Sequence, residues 1–256
     1  DQAQRQLTGA MLLDPRFRPD TRLAPSGPKP GGGLSPALVA EARELALRCL
    51  EGLRSRTDLE AIAPSAALLE RVIAFTMGHE HRVPRRMILR ELDIPPDAGA
   101  PQWRLESLAP GRRFRVAVIG AGMSGILMAY RLLQAGIDCV VFEKNAAVGG
   151  TWLDNAYPGC RLDTPNFAYS YSFAQNPRWP SEFSRQGAIL EYFTALSRQL
   201  GVTDHLRLGT EVLGQQYRES EHRWSVRVRE PSGRESTHEF DAVVSPIVDG
   251  EVQTRG

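Results

Sequence analysis

The run Phe114-Arg115-Val116-Ala117-Val118-Ile119, followed directly by Gly120-Ala121-Gly122-Met123-Ser124-Gly125, decides the fold of this chain. The first stretch is β-branched and apolar, as a strand buried in the centre of a sheet demands. A helix is expected from about Ser124 to Gln134, ended by Gly136, and a second buried strand over Asp138 to Phe142. Strand, tight turn, helix and strand make a parallel βαβ unit. Each glycine then has a task. Gly120 can take the backbone angles of the sharp turn. A side chain at Gly122 would collide with an approaching diphosphate. Gly125 lets the helix lie close to the strand, with Ala129 extending that contact on the same face. The diphosphate sits at the helix N-terminus, where unpaired N–H groups and about half a positive charge compensate it.

Glu143 ends the second strand, 18 residues after Gly125, where a carboxylate can accept hydrogen bonds from ribose hydroxyls. An acid there repels a 2′-phosphate, so the bound nucleotide is expected to be FAD or NAD rather than NADP. The competing reading is a glycine turn that binds nothing. A bare Gly-x-Gly-x-x-Gly would leave that reading open. The strand before it, the helix after it and the acid at this distance argue against it.

Outward from this unit the chain changes character. Residues 1–35 read as an arm or linker, because the Pro25 to Gly33 stretch is built of Pro, Gly, Ser and Lys and cannot hold a regular element. Residues 36–94 read as a helical extension. Its first helix opens at Ser35-Pro36 and carries Leu38, Ala42, Leu45, Cys49 and Leu53 as one stripe. A second helix is expected over Ser65 to Met77 and a shorter one over Arg85 to Leu92, before Pro95-Pro96. Such a module suits packing, and it is the candidate surface for a homodimer. Residues 95–113, with four prolines, read as a second linker. Beyond the βαβ unit, a helix is expected over Gly187 to Leu200, then strands over Leu206 to Tyr217, Trp224 to Val228 and Glu239 to Ser245. With the turn at Pro231-Ser232-Gly233 these form a small antiparallel meander. The fold expected is therefore α/β: a Rossmann-like domain over 114–256 with a β-meander, preceded by an all-α extension.

Composition excludes several classes. The 256 residues carry 31 Lys plus Arg against 30 Asp plus Glu, a net charge of +1, and 42% are hydrophobic. That balance gives no case for a nucleic-acid partner, and the apolar fraction excludes disorder of the whole chain. Lysine occurs only at Lys29 and Lys144. The arginines are scattered rather than gathered on a face. No run approaches the roughly 20 apolar residues of a membrane span, and DQAQRQLTGA does not read as a signal peptide, since no basic start is followed by an apolar stretch. Cys49, Cys139 and Cys160 have neither metal-ligand spacing nor a paired framework, which fits a reducing cytoplasm. Cys139 reads as core, and Cys160 as a small packing residue. His79-Glu80-His81 lacks the i, i+4 spacing of a helical metal site, and no metal site is expected. Asp1 replaces the usual Met, so the start of translation is expected further upstream.

A second glycine pair, Val148-Gly149-Gly150-Thr151-Trp152, follows Glu143 closely. Simple NAD dehydrogenases need no such pair here. The run from Gly120 to Trp152, then Tyr157-Pro158-Gly159-Cys160-Arg161-Leu162-Asp163 and Tyr169-Ser170-Tyr171-Ser172-Phe173, resembles the Baeyer–Villiger monooxygenases. The helical extension and the Gly-Cys-Arg segment are most similar to the 4-hydroxyacetophenone monooxygenase-like branch. The likeness covers about residues 36 to 245 and is specific from Val116 to Phe173. It implies FAD held by Gly120, Gly122, Met123, Ser124, Gly125, Glu143, Lys144, Gly150, Thr151 and Trp152. It places Asp163 beside the flavin as the catalytic residue, Tyr169 against the cofactor, and the backbone of Val212 at the adenine. Arg161, Leu162 and Asp163 would also approach the nicotinamide of NADPH, the co-substrate. The implied reaction begins with reduction of the flavin by NADPH. Reduced flavin then reacts with O2, and oxygen is inserted into a small ketone to give an ester or lactone.

This sequence also departs from the family. It shows no second Gly-x-Gly-x-x-Gly for NADPH and no Phe-x-Gly-x-x-x-His-x-x-x-Trp-Pro fingerprint, since Trp179-Pro180 stands without the preceding His and Gly. The family's partner arginine has no assignable counterpart. After Asp241 to Ser245 the chain runs Pro246-Ile247-Val248-Asp249-Gly250 instead of a small turn near the flavin, so a truncated or divergent end is expected. Two further readings remain at this point. One is a non-catalytic FAD-binding or dimerisation module, and the other an NAD-dependent dehydrogenase.

Overall fold

The computed structural model describes residues 34–54, 67, 70–72, 74, 87 and 97–245. Contacts divide the chain into two units, Asp1–Ile88 and Leu89–Gly256. In the first, helix α1 spans Pro36–Arg54. Ser35 caps it, its Oγ accepting the Leu38 N–H at 3.3 Å. Leu38, Ala42 and Leu45 are half-buried. The expected helices over 65–77 and 85–92 fall mostly outside the described residues, as do the arm before Leu34, His79-Glu80-His81 and the end from Pro246.

The second unit is built on a four-stranded parallel sheet in the order β3-β2-β1-β7. Strand β1 spans Arg115–Ile119, β2 Asp138–Phe142, β3 Leu206–Arg207 and β7 Ala242–Val244. The β1–β2 register runs from Arg115 opposite Asp138 to Ile119 opposite Phe142. Side chains alternate across β1, so Val116 and Val118 face one side and Ala117 the other. The Val116 side packs on helix α3 (Met123–Gln134) and helix α5 (Gln186–Gln199) through Ile126, Ala129, Ile189 and Phe193. Burying Phe193 or Ile189 fully contributes about 2 kcal/mol each. Ala117 and Phe142 on the other side meet Val226, Val228 and Phe240. Those belong to a three-stranded antiparallel meander, β4 (Glu211–Arg218), β5 (Arg223–Arg229) and β6 (Glu235–Phe240). The α/β, Rossmann-like class with a small meander is what the sequence pattern leads one to expect.

Both long helices of this unit end on glycine. After α3, Gly136 has φ +71°, its N–H bonds Leu133 C=O at 3.0 Å, and the Ile137 N–H bonds Leu132 C=O at 2.9 Å. Gly201 closes α5 in the same way, with φ +70°. This is a Schellman ending, which only a residue without Cβ adopts freely.

Two strand expectations need correction. Leu206 to Tyr217 is not one strand but β3 and β4 in different sheets. Gly209, at φ +64°, turns the chain, and the Thr210 N–H bonds the Glu143 C=O at 2.8 Å. Glu239 to Ser245 likewise divides into the end of β6 and β7. Asp241 is the joint. Its carboxylate accepts the Arg115 N–H at 2.8 Å and pairs with Arg223 at 3.0 Å, which ties the meander to the edge of β1. The proline-rich segment read as a linker is anchored over 97–113. Asp97 Oδ1 meets Arg131 Nη1 at 2.5 Å and the Leu105 N–H bonds Ala135 C=O at 2.8 Å. A short helix, α2 (Leu105–Leu108), lies within it.

Candidate functional site

Open parallel sheets bind ligands beyond the carboxyl ends of their strands. Here those ends carry Gly120 after β1 and Glu143 after β2. A hollow lined by Arg112, Phe114, Arg115 and Asp138 lies at the opposite end, where the strands begin, and is not in the position this fold uses.

The turn after β1 is shaped by its glycines. Gly120 has φ +94°, which requires glycine. At Gly125 a Cβ would stand 1.9 Å from the Gly120 carbonyl oxygen. The close approach is therefore between helix and turn, more than between helix and strand. Gly122 differs from both. Its φ of −76° suits any residue, and a Cβ there would meet protein no nearer than 3.5 Å, at Gly150 Cα. The fold itself does not demand glycine at 122. A Cβ there would face the backbone of Gly150, in ordinary van der Waals contact. No side chain caps the first turn of α3, so the N–H groups of Met123, Ser124 and Gly125 have no acceptor within the helix.

Glu143 holds the turn from the side. It is buried, 4% exposed. Its Oε2 accepts the Ala121 N–H at 2.7 Å and its Oε1 the Asn145 N–H at 2.8 Å. Two backbone donors satisfy the charge, and each carboxylate oxygen keeps lone-pair capacity for a ribose hydroxyl. The Ala121 C=O in turn accepts the Gly149 N–H at 3.0 Å. A Cβ on Gly150 would lie 2.9 Å from Gly122 Cα, so the two glycine pairs touch. Val212 comes two residues after Thr210, whose N–H bonds the Glu143 C=O, and Gly209 N–H bonds the Asn145 C=O at 2.8 Å. The structure thus gathers the turn, Glu143, the second glycine pair and the approach to Val212 into one laced group. Lys144 and Thr151 are exposed beside it.

Trp152 is buried in the short helix α4 (Thr151–Asp154). Its indole N–H donates to the Tyr169 hydroxyl at 3.1 Å, with the rings edge to face at 5.7 Å. The Arg161 to Asp163 segment runs along 184–186: Gln186 N–H bonds Cys160 C=O at 3.0 Å and Leu162 N–H bonds Ser184 C=O at 3.0 Å. The Gln186 amide also donates to the Trp152 carbonyl, which joins this segment to the glycine group. Leu162 is core, whereas Arg161 and Asp163 are exposed. Cys160 is buried, and so is Cys139, whose thiol burial raises from the usual 9.0 to about 11, with Asp138 adding to the rise.

Sequence reading missed Ala121, Asn145, Thr210 and Gln186. Ala121 and Asn145 adjoin named residues and could have been found from the turn's own bonding needs. Thr210 and Gln186 bond partners 26 or more residues away, Glu143, Cys160 and Trp152, which no local pattern reveals. Among the described residues no group of three or more His, Cys, Asp or Glu could hold a metal, and no described helix is long and apolar enough to cross a membrane.

The parallel sheet, its helices and the glycine turn define a Rossmann-like domain. A family model described as an NAD(P)-binding Rossmann-like domain matches residues 118–185. Over about half its length the chain is related to FAD-binding and Baeyer–Villiger monooxygenases. It is 43% identical over 132 residues to an FAD-binding monooxygenase of Emericella nidulans, covering 51% of this chain and 22% of that one. It is 46% identical over 113 residues to a Baeyer–Villiger monooxygenase of Streptomyces coelicolor, covering 44% of this chain and 22% of that one. The open crystal structure of cyclohexanone monooxygenase is similar at 32% identity with a TM-score of 0.48, over 52% of this chain and 26% of that one. The chain spans about a fifth of the length of the curated relatives it matches, 20% and 22% for two of them.

Proposed function

We propose that this chain binds FAD and carries the flavin-nucleotide site of a monooxygenase of the Baeyer–Villiger type. The observation that carries this reading is Gly122: a glycine that backbone angles and packing do not require, set before uncapped helix amides. A diphosphate accounts for it. In this reading the amides of Met123, Ser124 and Gly125 hold the diphosphate, Glu143 takes the ribose, and the backbone at Val212 lies at the adenine. Gly150 and Thr151 follow the diphosphate toward the flavin, with Trp152 and Tyr169 behind them. FAD, when bound, supplies the redox and oxygen chemistry. The protein orients it and limits water at the ring. Asp163 and Arg161, both exposed on a segment tied to Trp152, are available to face the flavin and the nicotinamide of NADPH. A small ketone and O2 are the proposed substrates. Relatives named as FAD-binding and Baeyer–Villiger monooxygenases support the reading over the portion they share.

The division into arm (1–35), helical extension (36–94), connecting segment (95–113) and FAD-binding domain (114–256) belongs to the same proposal. So does a homodimer through the extension, for which Leu47 and Leu50 of α1, 56% and 62% exposed, speak. The experiment is titration of the purified chain with FAD and with NAD. Uptake of FAD with an absorbance band at about 450 nm is expected. Binding of NAD in preference to FAD would overturn the reading. Bleaching of the band by NADPH then separates an enzyme from an inert binder.

A further inference from the structure

Tyr171 is the buried titratable group nearest the start of α3 that the proposed function leaves without a task. Its hydroxyl donates to the Met123 carbonyl, in the turn that follows Gly122 directly. The ring is held on three sides: stacked on Phe173 at 5.3 Å, edge to face with Phe193 at 5.7 Å, and tilted against Tyr192 at 6.4 Å. The Tyr171 N–H donates to the Tyr192 hydroxyl at 3.1 Å. Burial pushes the phenol far above its ordinary range, Tyr192 adds to this, and a hydrogen bond from the Leu127 backbone opposes it. The hydroxyl therefore lies against the Met123 C=O, the carbonyl of the first residue of α3, where the helical ladder begins. A side chain at that place in the ladder sets the local direction of the helix.

We infer that Tyr171 is a positioning residue for the dinucleotide, its phenol fixing the first turn of α3 so that the free amides of Met123, Ser124 and Gly125 converge on one diphosphate. The inference rests on the proposed FAD site and adds to it a residue that acts through the Met123 carbonyl. The position is well suited. The aromatic cluster is rigid, and the Met123 carbonyl is one residue from the glycine that the diphosphate passes.

Two variants of the whole chain test it, Tyr171→Phe and Tyr192→Phe. Both keep the ring and remove one buried hydroxyl from the same cluster. The Tyr192 hydroxyl bonds Tyr171 N–H and Ala174 C=O, and no part of α3. FAD affinity, read by quenching of flavin fluorescence, is compared with the thermal midpoint of the cofactor-free protein. Tyr171→Phe is expected to weaken FAD binding about tenfold, the size of one well-placed hydrogen bond. Tyr192→Phe is expected to lower the midpoint comparably while leaving FAD affinity within about twofold. Equal loss of affinity in both variants would make Tyr171 merely a packing residue and overturn the inference, as would unchanged affinity in Tyr171→Phe. A parent chain that takes up no FAD defeats the proposed function as well, so the two failures are told apart by the parent.

Discussion

Replacing Gly122 and Gly125 by alanine, one at a time, separates a glycine kept for a ligand from one kept for the fold. At Gly125 the new Cβ would stand 1.9 Å from the Gly120 carbonyl oxygen and 3.0 Å from its carbon. Both are backbone atoms of a turn anchored by the Gly120 N–H to Phe142 C=O bond at 2.7 Å, so neither can step aside. Overpacking of that kind costs about 3 kcal/mol or more. At Gly122 the Cβ meets Gly150 Cα at 3.5 Å, an ordinary contact, and φ of −76° is open to alanine. Fewer unfolded conformations favour alanine by about 0.4–1 kcal/mol, and a poorer N-cap opposes it by a similar amount. The apo-protein should therefore change by less than about 1 kcal/mol. Binding should not survive so well. A methyl group in front of the amides holds the diphosphate off by about an ångström and weakens two charge-assisted hydrogen bonds, each about 1.5–3 kcal/mol. Affinity for FAD should fall at least about a hundredfold. Urea unfolding followed by tryptophan fluorescence gives the first quantity and FAD titration the second. If Gly122→Ala binds FAD like the parent, or unfolds as readily as Gly125→Ala, the assignment of Gly122 to a diphosphate is wrong.

Glu143→Gln keeps the shape but turns an NH2 toward one of two backbone donors. A loss of about 2 kcal/mol in apo stability is expected by chemical denaturation, together with weaker FAD binding. Asp163→Ala, at an exposed position, should change stability by less than about 0.5 kcal/mol. In a chain competent for turnover it should slow flavin reduction or oxygenation more than it weakens FAD binding, and stopped-flow absorbance would show this. Cys139 is 1% exposed, and its thiol is raised from the usual 9.0 to about 11. Its folded value lies above its unfolded one, so the stability it contributes is complete below pH 9 and is lost as pH rises toward 11. About 2–3 kcal/mol should disappear across that window, absent in Cys139→Ala. In native protein at pH 8 iodoacetamide should leave Cys139 unmodified until denaturant is added.

The glycine turn, β2 and the helix between them were legible because each rests on local rules. Spacing of glycine, β-branched runs and a glycine helix end act within a few residues. Where the chain changes sheets, local rules fail. Apolar and β-prone residues continue across Gly209 and across Asp241, so periodicity reads one strand in each place. What divides them is tertiary: Thr210 held by Glu143, and Asp241 held by Arg115 and Arg223. The segment over 95–113 reads as a linker from its prolines. Asp97 is drawn to Arg131 and Gln134 of α3, at 2.5 and 2.6 Å, by pairs that sequence spacing cannot announce.

The second glycine pair shows the same limit from within the site. Spacing after Glu143 relates it to flavoproteins, but does not say why two glycines stand there. The structure supplies a reason internal to the protein. Gly149 bonds the Ala121 carbonyl at 3.0 Å, and Gly150, at φ +52°, passes Gly122 so closely that a Cβ would lie 2.9 Å from its Cα. Ala121 is thus gripped at its N–H by Glu143 and at its C=O by Gly149. One small residue couples Glu143 to the second glycine pair. The geometry of the first glycine turn is therefore set by residues 22 to 28 positions downstream as much as by its own sequence. That is why Gly-x-Gly-x-x-Gly alone is weak evidence, and why an acid and a second glycine pair at these distances make the turn more specific.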